Sequence, residues 1–448
     1  MNILMLTNTF TPHVGGVARS VEAFSSEFRK RGHRVLIGAP YFDATPEEET
    51  DVVRLPAVQH FHGSDFSVPM PATGRLKSPL HAFRPDIVHS HHPFLLGDTA
   101  LRVAATRNIP VVFTHHTLYE EYTHYVPGDS PRLKRFAVEL TTGYCNLCNT
   151  VIAPSGSIAQ LLRQRGVTVL IEAIPTGVDV DLFAAGDGAA ARAAMQIPPD
   201  AFVVGHVGRL APEKNLGFLT DAVARFLLTN EGAHFLIAGD GPLKQEILEK
   251  FAAFKLGSRV HLAGVLEHKA LARIYRAMDV FTFASLTETQ GMVLTEAMAA
   301  GVPVVAVDAP GVREVVQDRV NGRLLPHEDA PQFIDALAWV TGLDSTEQQR
   351  LIKCAYCTAQ EFSIATTASS ALALYGRLIG KQPTMKNIDA SRWACTRRRI
   401  KEEWKILRNV SHAVGDAALS LPKAARCQGY GSSTGQRETS ARRRPIAT

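Results

Sequence analysis

The sequence predicts an α/β protein built from two doubly wound, Rossmann-like domains that face each other across a cleft. Three observations predict it. Short apolar runs alternate with stretches of helical spacing from residue 3 onward, the same alternation restarts near residue 201, and the stretches just after several of the runs are polar or glycine-rich. Strands separated by helices form a parallel sheet covered on both faces. In such sheets ligands bind beyond the carboxyl ends of the strands, so two facing sheets hold one ligand between them.

In the first half, "ILMLTN" (3–8) is the first strand. "GVARSVEAFSSEFRKRG" (16–32) follows with Val17, Val21, Phe24 and Phe28 on one helical face and Gly32 as its stop. "HRVLIGAP" (33–40), "DIVHSHH" (86–92), "PVVFTHHT" (110–117) and "TVIAPS" (150–155) continue the sheet. Residues 41–80, rich in Pro, His and Gly, interrupt the pattern and read as an irregular insertion near the site. The second half supplies "FVVGHVGRL" (202–210), "HFLIAGDG" (234–241), "RVHLAGV" (259–265), "DVFTFAS" (279–285), "VPVVAVD" (302–308) and "GRLLP" (322–326). The expected division is a first domain over 1–176, a hinge over 177–200, a second domain over 201–345 and closing helices over 346–382. A basic tail, 383–448, reads as largely disordered, with a short helix expected around 397–410 and disorder in the last twenty residues.

Composition narrows the function classes. Hydrophobic content of 46% and charged content of 20% are those of an ordinary globular protein, and no apolar run approaches the roughly 18 residues of a membrane span. The start "MNILMLTNTF" reads as a buried strand and not a leader, so a cytoplasmic location is expected. The net charge of +5 conceals an asymmetry: residues 385–448 hold 14 Lys/Arg and 5 Asp/Glu (+9), leaving 34 and 38 (−4) for the rest. Only the tail therefore invites an anionic partner, and with no reading module beside it nucleic acid is not expected. Four of the six cysteines form C-x-x-C pairs, Cys145/Cys148 and Cys354/Cys357. Roughly 200 residues, the whole second domain among them, separate the two pairs, so buried thiols are a better reading than zinc.

Three stretches carry chemistry. Gly15 and Gly16, in "TPHVGGVAR", precede a helix and so turn backbone N–H groups toward the cleft, as a phosphate or a sugar hydroxyl requires. Arg209 and Lys214, in "GRLAPEKNL", follow a strand end and together match the charge of a diphosphate. In "TETQGMVLTEAMAAG" a helix starting near Gly291 points the amides of Gly291, Met292 and Val293 into the cleft, with Glu288 before the helix and Glu296 in its second turn. The two acids thus reach different parts of one extended ligand.

The set "PHVGG", "GHVGRLAPEKN", "IAGDGP", "ASLTETQGMVLTEAMAAGVPVVA" and "PGVREVV" resembles family 4 retaining glycosyltransferases of the GT-B fold over roughly residues 1–375. The resemblance implies that Glu288 holds hydroxyls of a donor sugar, Glu296 the ribose hydroxyls of its nucleotide, and Arg209 and Lys214 its diphosphate. His116, in "FTHHT", matches the histidine that contacts the donor sugar; His115 beside it has no assigned role. Gln290 stands where many relatives carry an aromatic, which leaves donor preference open. The stretch "THHTLYEEYTHYVP" with "HPFLLGDTALRVAA" is similar to the branch that glycosylates diacylglycerol, and Tyr119, Tyr122 and Tyr125 with Arg132, Lys134 and Arg135 would suit an interfacial surface.

The expected activity is then transfer of a hexose, glucose foremost, from a nucleoside diphosphate sugar such as UDP-glucose to a lipid hydroxyl, with retention and without a metal or other cofactor. Peripheral attachment at the inner face of the plasma membrane goes with it, and Arg397, Arg398 and Arg399 near Trp393 and Trp404 are the tail residues expected to meet anionic lipid. A soluble or polysaccharide acceptor for a mannosyl or glucosyl group is the alternative. A nucleotide-sugar epimerase on the same fold is the rival of another class. A glycoside hydrolase would need the two carboxylates on opposite sides of a scissile bond, whereas one loop–helix unit supplies both here.

Overall fold

The computed structural model describes residues 1–59, 67–70, 73–125, 129–266, 268–381 and 392–419. The first domain is built on β1 (Asn2–Leu6), β2 (Arg34–Pro40) and β3 (Val52–Leu55), followed by a small antiparallel pair, β4 (Ala57–Val58) and β5 (Val68–Pro69), that stands apart from the main sheet. β6 (Ile87–Ser90), β7 (Val111–Thr114), β8 (Thr150–Ala153) and β9 (Leu170–Ala173) complete a seven-stranded parallel sheet in the order β3-β2-β1-β6-β7-β8-β9. The second domain holds β10 (Phe202–Val207), β11 (Ala233–Ala238), β12 (Val260–Gly264), β13 (Val280–Phe283), β14 (Val304–Val307) and β15 (Gly322–Leu325). They form a six-stranded parallel sheet ordered β12-β11-β10-β13-β14-β15. Both sheets are doubly wound: β6, β7, β8, β13 and β14 are buried along their whole length because helices cover each face.

Strand order reverses beside β1 in one sheet and beside β10 in the other, and the crevice at such a reversal is where doubly wound sheets bind ligands. The helix Gly16–Lys30 follows β1 and buries Val21, Phe24 and Phe28, the stripe its spacing predicts. Helix Leu216–Thr229 plays the same part after β10.

Several boundaries differ from the expectation. Residues 41–80 are not wholly irregular: Val52 to Leu55 extend the sheet edge by pairing with β2, and Thr73–Phe83 is helical. β9 escapes the apolar-run criterion because Leu170 is exposed and Glu172 interrupts it. Residues 177–200, expected as a hinge, cross between the domains near Val178 and otherwise fold onto the second domain. Their short helices Val180–Ala184 and Gly188–Ala194 set Val180, Phe183 and Ala191 into the core of the second domain. The closing helices divide between domains: Ser345–Glu361 packs Ala355 and Ala359 into the second, whereas Ile364–Gly380 returns Ala368, Ala371, Leu374 and Tyr375 to the first. The chain therefore crosses twice, and the crossings touch: Val178 N–H donates to Phe362 O (2.9 Å) and Ile364 N–H to Val178 O (2.9 Å).

The tail is also more ordered than its charge suggests. Arg392–Leu419 is a 28-residue helix. It lies on the first domain, with Ile406 in the core beside Tyr144, Cys145 and Cys148, and Arg102 paired to Glu403 at 2.7 and 3.1 Å. The disorder expected of the last twenty residues concerns positions outside the described ones. Cys145 and Cys148 are buried, and burial pushes the Cys145 thiol up to about 12; Cys357, by contrast, is exposed on its helix, against the buried reading. Among the described residues no helix is long and apolar enough to cross a membrane.

Candidate functional site

The turn after β10 and the loop after β13 meet at the carboxyl ends of their strands. Lys214 ends a one-turn helix, Pro212–Lys214, and its ammonium donates to Glu288 Oε1. Burial alone would lower the Lys214 pKa; the Glu288 carboxylate, with Tyr122 and Glu213, more than reverses this and holds it above the usual lysine value. Tyr122 belongs to the first domain, on the turn Tyr119–Tyr125, and its buried phenol feels Lys214, Glu288, Glu213 and Arg209. One electrostatic neighbourhood thus contains both cations, the first glutamate and a residue from the facing domain.

The helix after Glu288 runs Met292–Ala299 with Gly291 as its N-cap at φ 73°. The positive φ at Gly291 is the left-handed conformation that favours glycine, and a Cβ there would also press on Leu294 Cδ1, 2.7 Å away. No side chain caps this end, so the first amides of the helix, Met292 and Val293 included, remain directed at the crevice. Glu296 is buried in the second turn, accepting from Tyr275 Oη at 2.8 Å and from Arg19 at 3.3 Å. Burial raises its pKa, with Arg19 and the Tyr275 hydroxyl opposing. Arg19 stands one turn into the helix that starts at Gly16, and it also donates to Leu266 O at 3.4 Å. Gly15 is the extended N-cap of that helix, without a side-chain cap, and a Cβ on Gly16 would meet nothing within 4 Å.

His116 closes the first domain's side. Its Nε2 lies 3.0 Å from His91 Nδ1, with the rings stacked at 5.2 Å, and the His91 ring stands 4.1 Å from that of His89. Hydroxyls hold both nitrogens of His89: Tyr375 Oη lies 2.6 Å from Nδ1 and Thr114 Oγ1 2.6 Å from Nε2. Burial lowers the pKa of His89 to about 3 and holds His91 and His116 well below the usual range. His116 is therefore a neutral hydrogen-bonding group. His115 points away, into the interior near Phe113, and burial holds it at about 4; it is a core residue.

Sequence reasoning brought together Glu288, Lys214, Arg209 and the Gly291 helix end, and it missed what the opposite domain adds. Arg19 meets Glu296, Tyr122 meets Lys214 and Glu288, and Thr289 Oγ1 donates to His116 O at 2.8 Å. Tyr119 and Tyr122 are not interfacial: both are turned inward, and their interfacial reading is corrected. The Tyr125 side chain lies outside what is described, whereas Arg132, Lys134 and Arg135 are exposed. Gln290, buried, donates to Thr176 O and accepts from Thr176 N–H, both at 2.6 Å, so it grips the crossing strand instead of a ligand. Glu314 accepts from the amides of Gly156 (2.6 Å) and Ser157 (2.7 Å) at the start of a first-domain helix. No spacing in the sequence signals these long-range partners.

Comparison with known proteins agrees with this geometry. The family model described as Glycosyltransferase Family 4 matches residues 14–182, and that described as Glycosyl transferases group 1 matches residues 201–341. An alpha-monoglucosyldiacylglycerol synthase of Streptococcus pneumoniae is 28% identical over 345 residues, 75% of this chain and 78% of its own length. A GDP-mannose-dependent alpha-mannosyltransferase of Mycobacterium tuberculosis is 30% identical over 339 residues, 73% of this chain and 84% of its own length. The fold resembles that of sucrose-phosphate synthase from Thermosynechococcus elongatus with a TM-score of 0.71 at 23% identity, covering 84% of this chain and 99% of that one. With the two facing α/β domains of the GT-B fold, both family models in chain order and a relative 30% identical over most of its length, this chain belongs to the family 4 glycosyltransferases.

Proposed function

We propose that the protein moves glucose from a nucleoside diphosphate sugar, UDP-glucose being the donor to test first, to the free hydroxyl of 1,2-diacylglycerol at a membrane face, with retention and without a metal. The observation that supports transfer from such a donor is the joining of Lys214, Glu288 and Arg209 beside Tyr122, with Glu296 deeper in the same crevice. The lipid acceptor is supported by the glucosyldiacylglycerol synthase likeness over three quarters of the chain.

In this reading the leaving diphosphate takes up negative charge as its bond to the sugar breaks. Lys214, kept protonated by its neighbours, Arg209 and the amides from Gly291 onward are already oriented toward that charge, and preorganised groups of this kind supply the largest catalytic term in many enzymes. Glu288 orients the sugar through its hydroxyls and Glu296 holds the ribose. Neutral His116 bonds a sugar hydroxyl from the opposite domain without adding charge. The acceptor oxygen bonds to the anomeric carbon on the face the diphosphate leaves, and its proton passes to a phosphate oxygen. Closure of the domains excludes water, which would otherwise hydrolyse the donor.

A donor-by-acceptor screen tests this. Nucleoside diphosphate release from UDP-glucose is expected only with diacylglycerol, unchanged by chelator. Transfer to soluble acceptors from GDP-mannose would favour the second reading, for which the mannosyltransferase likeness speaks. Loss of activity with chelator would overturn the metal-free mechanism, and donor turnover with no acceptor would point to an epimerase.

A further inference from the structure

The helix Arg392–Leu419 is seated the wrong way round for an amphipathic helix. Its buried face is carried by Glu402, Ile406 and Ala413, with Arg398 donating to Ala105 O (3.1 Å) and Asn409 to Leu140 O (3.1 Å). Its apolar stripe faces out: Ile400, Trp404, Leu407, Val410 and Val414 are all exposed, Trp404 at 70% and Leu407 at 59% of its surface. The spacing 400, 404, 407, 414 places most of them in one row. Arg397, Lys401, Lys405 and Arg408, also exposed, fall on the adjoining strip toward the same solvent side. Large apolar side chains in a contiguous exposed row mark an interaction surface.

We propose that this outward face is the surface by which the protein docks on an anionic lipid bilayer, the apolar row entering the headgroup region and the basic strip meeting lipid phosphates. Charge decides among occupants. A second copy would bring one basic strip against another. Residues 420–448 hold six Lys/Arg and one Glu, so this segment too would be repelled. An anionic surface complements the strip, and a helix with an apolar row beside a basic one lies in the plane of the interface. Glu402 near Cys148 and Asn409 at Leu140 show that the helix runs antiparallel to Pro131–Leu147, so its last turns lie by the exposed Arg132, Lys134 and Arg135. The acceptor-side domain thereby carries the docking face. Its purpose rests on the lipid-acceptor reading, although its chemistry does not.

The test uses the full chain with vesicles of phosphatidylcholine alone or mixed equally with phosphatidylglycerol. Wild-type protein should sediment with the mixed vesicles and not the neutral ones. A Trp404→Ser, Leu407→Ser variant should lose at least about tenfold in partition, and each neutralisation, Arg397→Gln or Lys401→Gln, about fivefold, as expected for ~1 kcal/mol per basic residue. Turnover on detergent-dispersed diacylglycerol should stay at the wild-type level in all variants. Unchanged vesicle binding in the double variant overturns the proposal, as does equal binding to neutral vesicles, or a stripe-dependent dimer in sedimentation velocity. Stripe-dependent vesicle binding without glycosylation of any lipid leaves docking standing and defeats the acceptor reading alone.

Discussion

Glu288→Gln removes one negative charge and almost no volume from the crevice. In the wild type, burial pulls the Lys214 pKa down, and Glu288, with Tyr122 and Glu213, together pull it up by more. Without the carboxylate the burial effect is opposed by the weaker partners only, so the ammonium gives up its proton at lower pH than before. Two losses follow. A charge-assisted hydrogen bond to the donor sugar is worth about 1.5–3 kcal/mol, so kcat/KM should fall roughly 10- to 150-fold near neutrality. The alkaline limb of the kcat/KM profile should also start at lower pH, because a neutral Lys214 no longer attracts the diphosphate. The assay is nucleoside diphosphate release followed from neutrality to about pH 10, with thermal unfolding confirming an intact fold. Wild-type kcat/KM with an unmoved alkaline limb would refute the reasoning.

Acid should destabilise the fold. Burial lowers His89 and His92 to about 3 and His115 and His206 to about 4, so below pH 6.5 the unfolded chain binds more protons and stability falls as pH drops toward those values. Each such imidazole should cost about 1.4 kcal/mol at pH 5.5, and a urea midpoint that stays constant from neutral to that pH would exclude the effect. Gln290→Leu leaves the Thr176 amide and carbonyl without their side-chain partners and should cost ~1–3 kcal/mol for each, read as a lower melting temperature. Ile406→Ala should loosen the C-terminal helix by ~2–5 kcal/mol, seen as faster amide exchange confined to residues 392–419 and their contacts.

The strands were the most legible part of the chain. β7, β13 and β14 are buried on both faces, so their sequences are nearly continuous apolar runs, broken only by the buried Thr114 and Thr282. The glutamate helix was legible too, because Gly291 and the good helix formers after it mark its start locally. Contacts made across the molecule left no such trace: Arg19 meets Glu296 from 277 positions away, and Gln290 meets Thr176 from 114. The C-terminal helix was expected only around 397–410, and its seat on the first domain left no trace in the sequence. Its apolar row faces solvent, whereas its docked face is held by Arg398, Glu403 and Asn409, with Ile406 and Ala413 as its buried apolar side chains among the described residues.

The two chain segments that pass between the domains lie side by side, stitched by backbone bonds between Val178 and its neighbours Phe362 and Ile364. A single tether would let one half swivel freely. Two adjacent pins, like those of a door, leave one easy rotation about the line through them and resist twist. An opening about that line would separate Arg19 from Glu296, Glu314 from Gly156 and Thr289 from His116 along one arc, and closing would bring the same partners back into register.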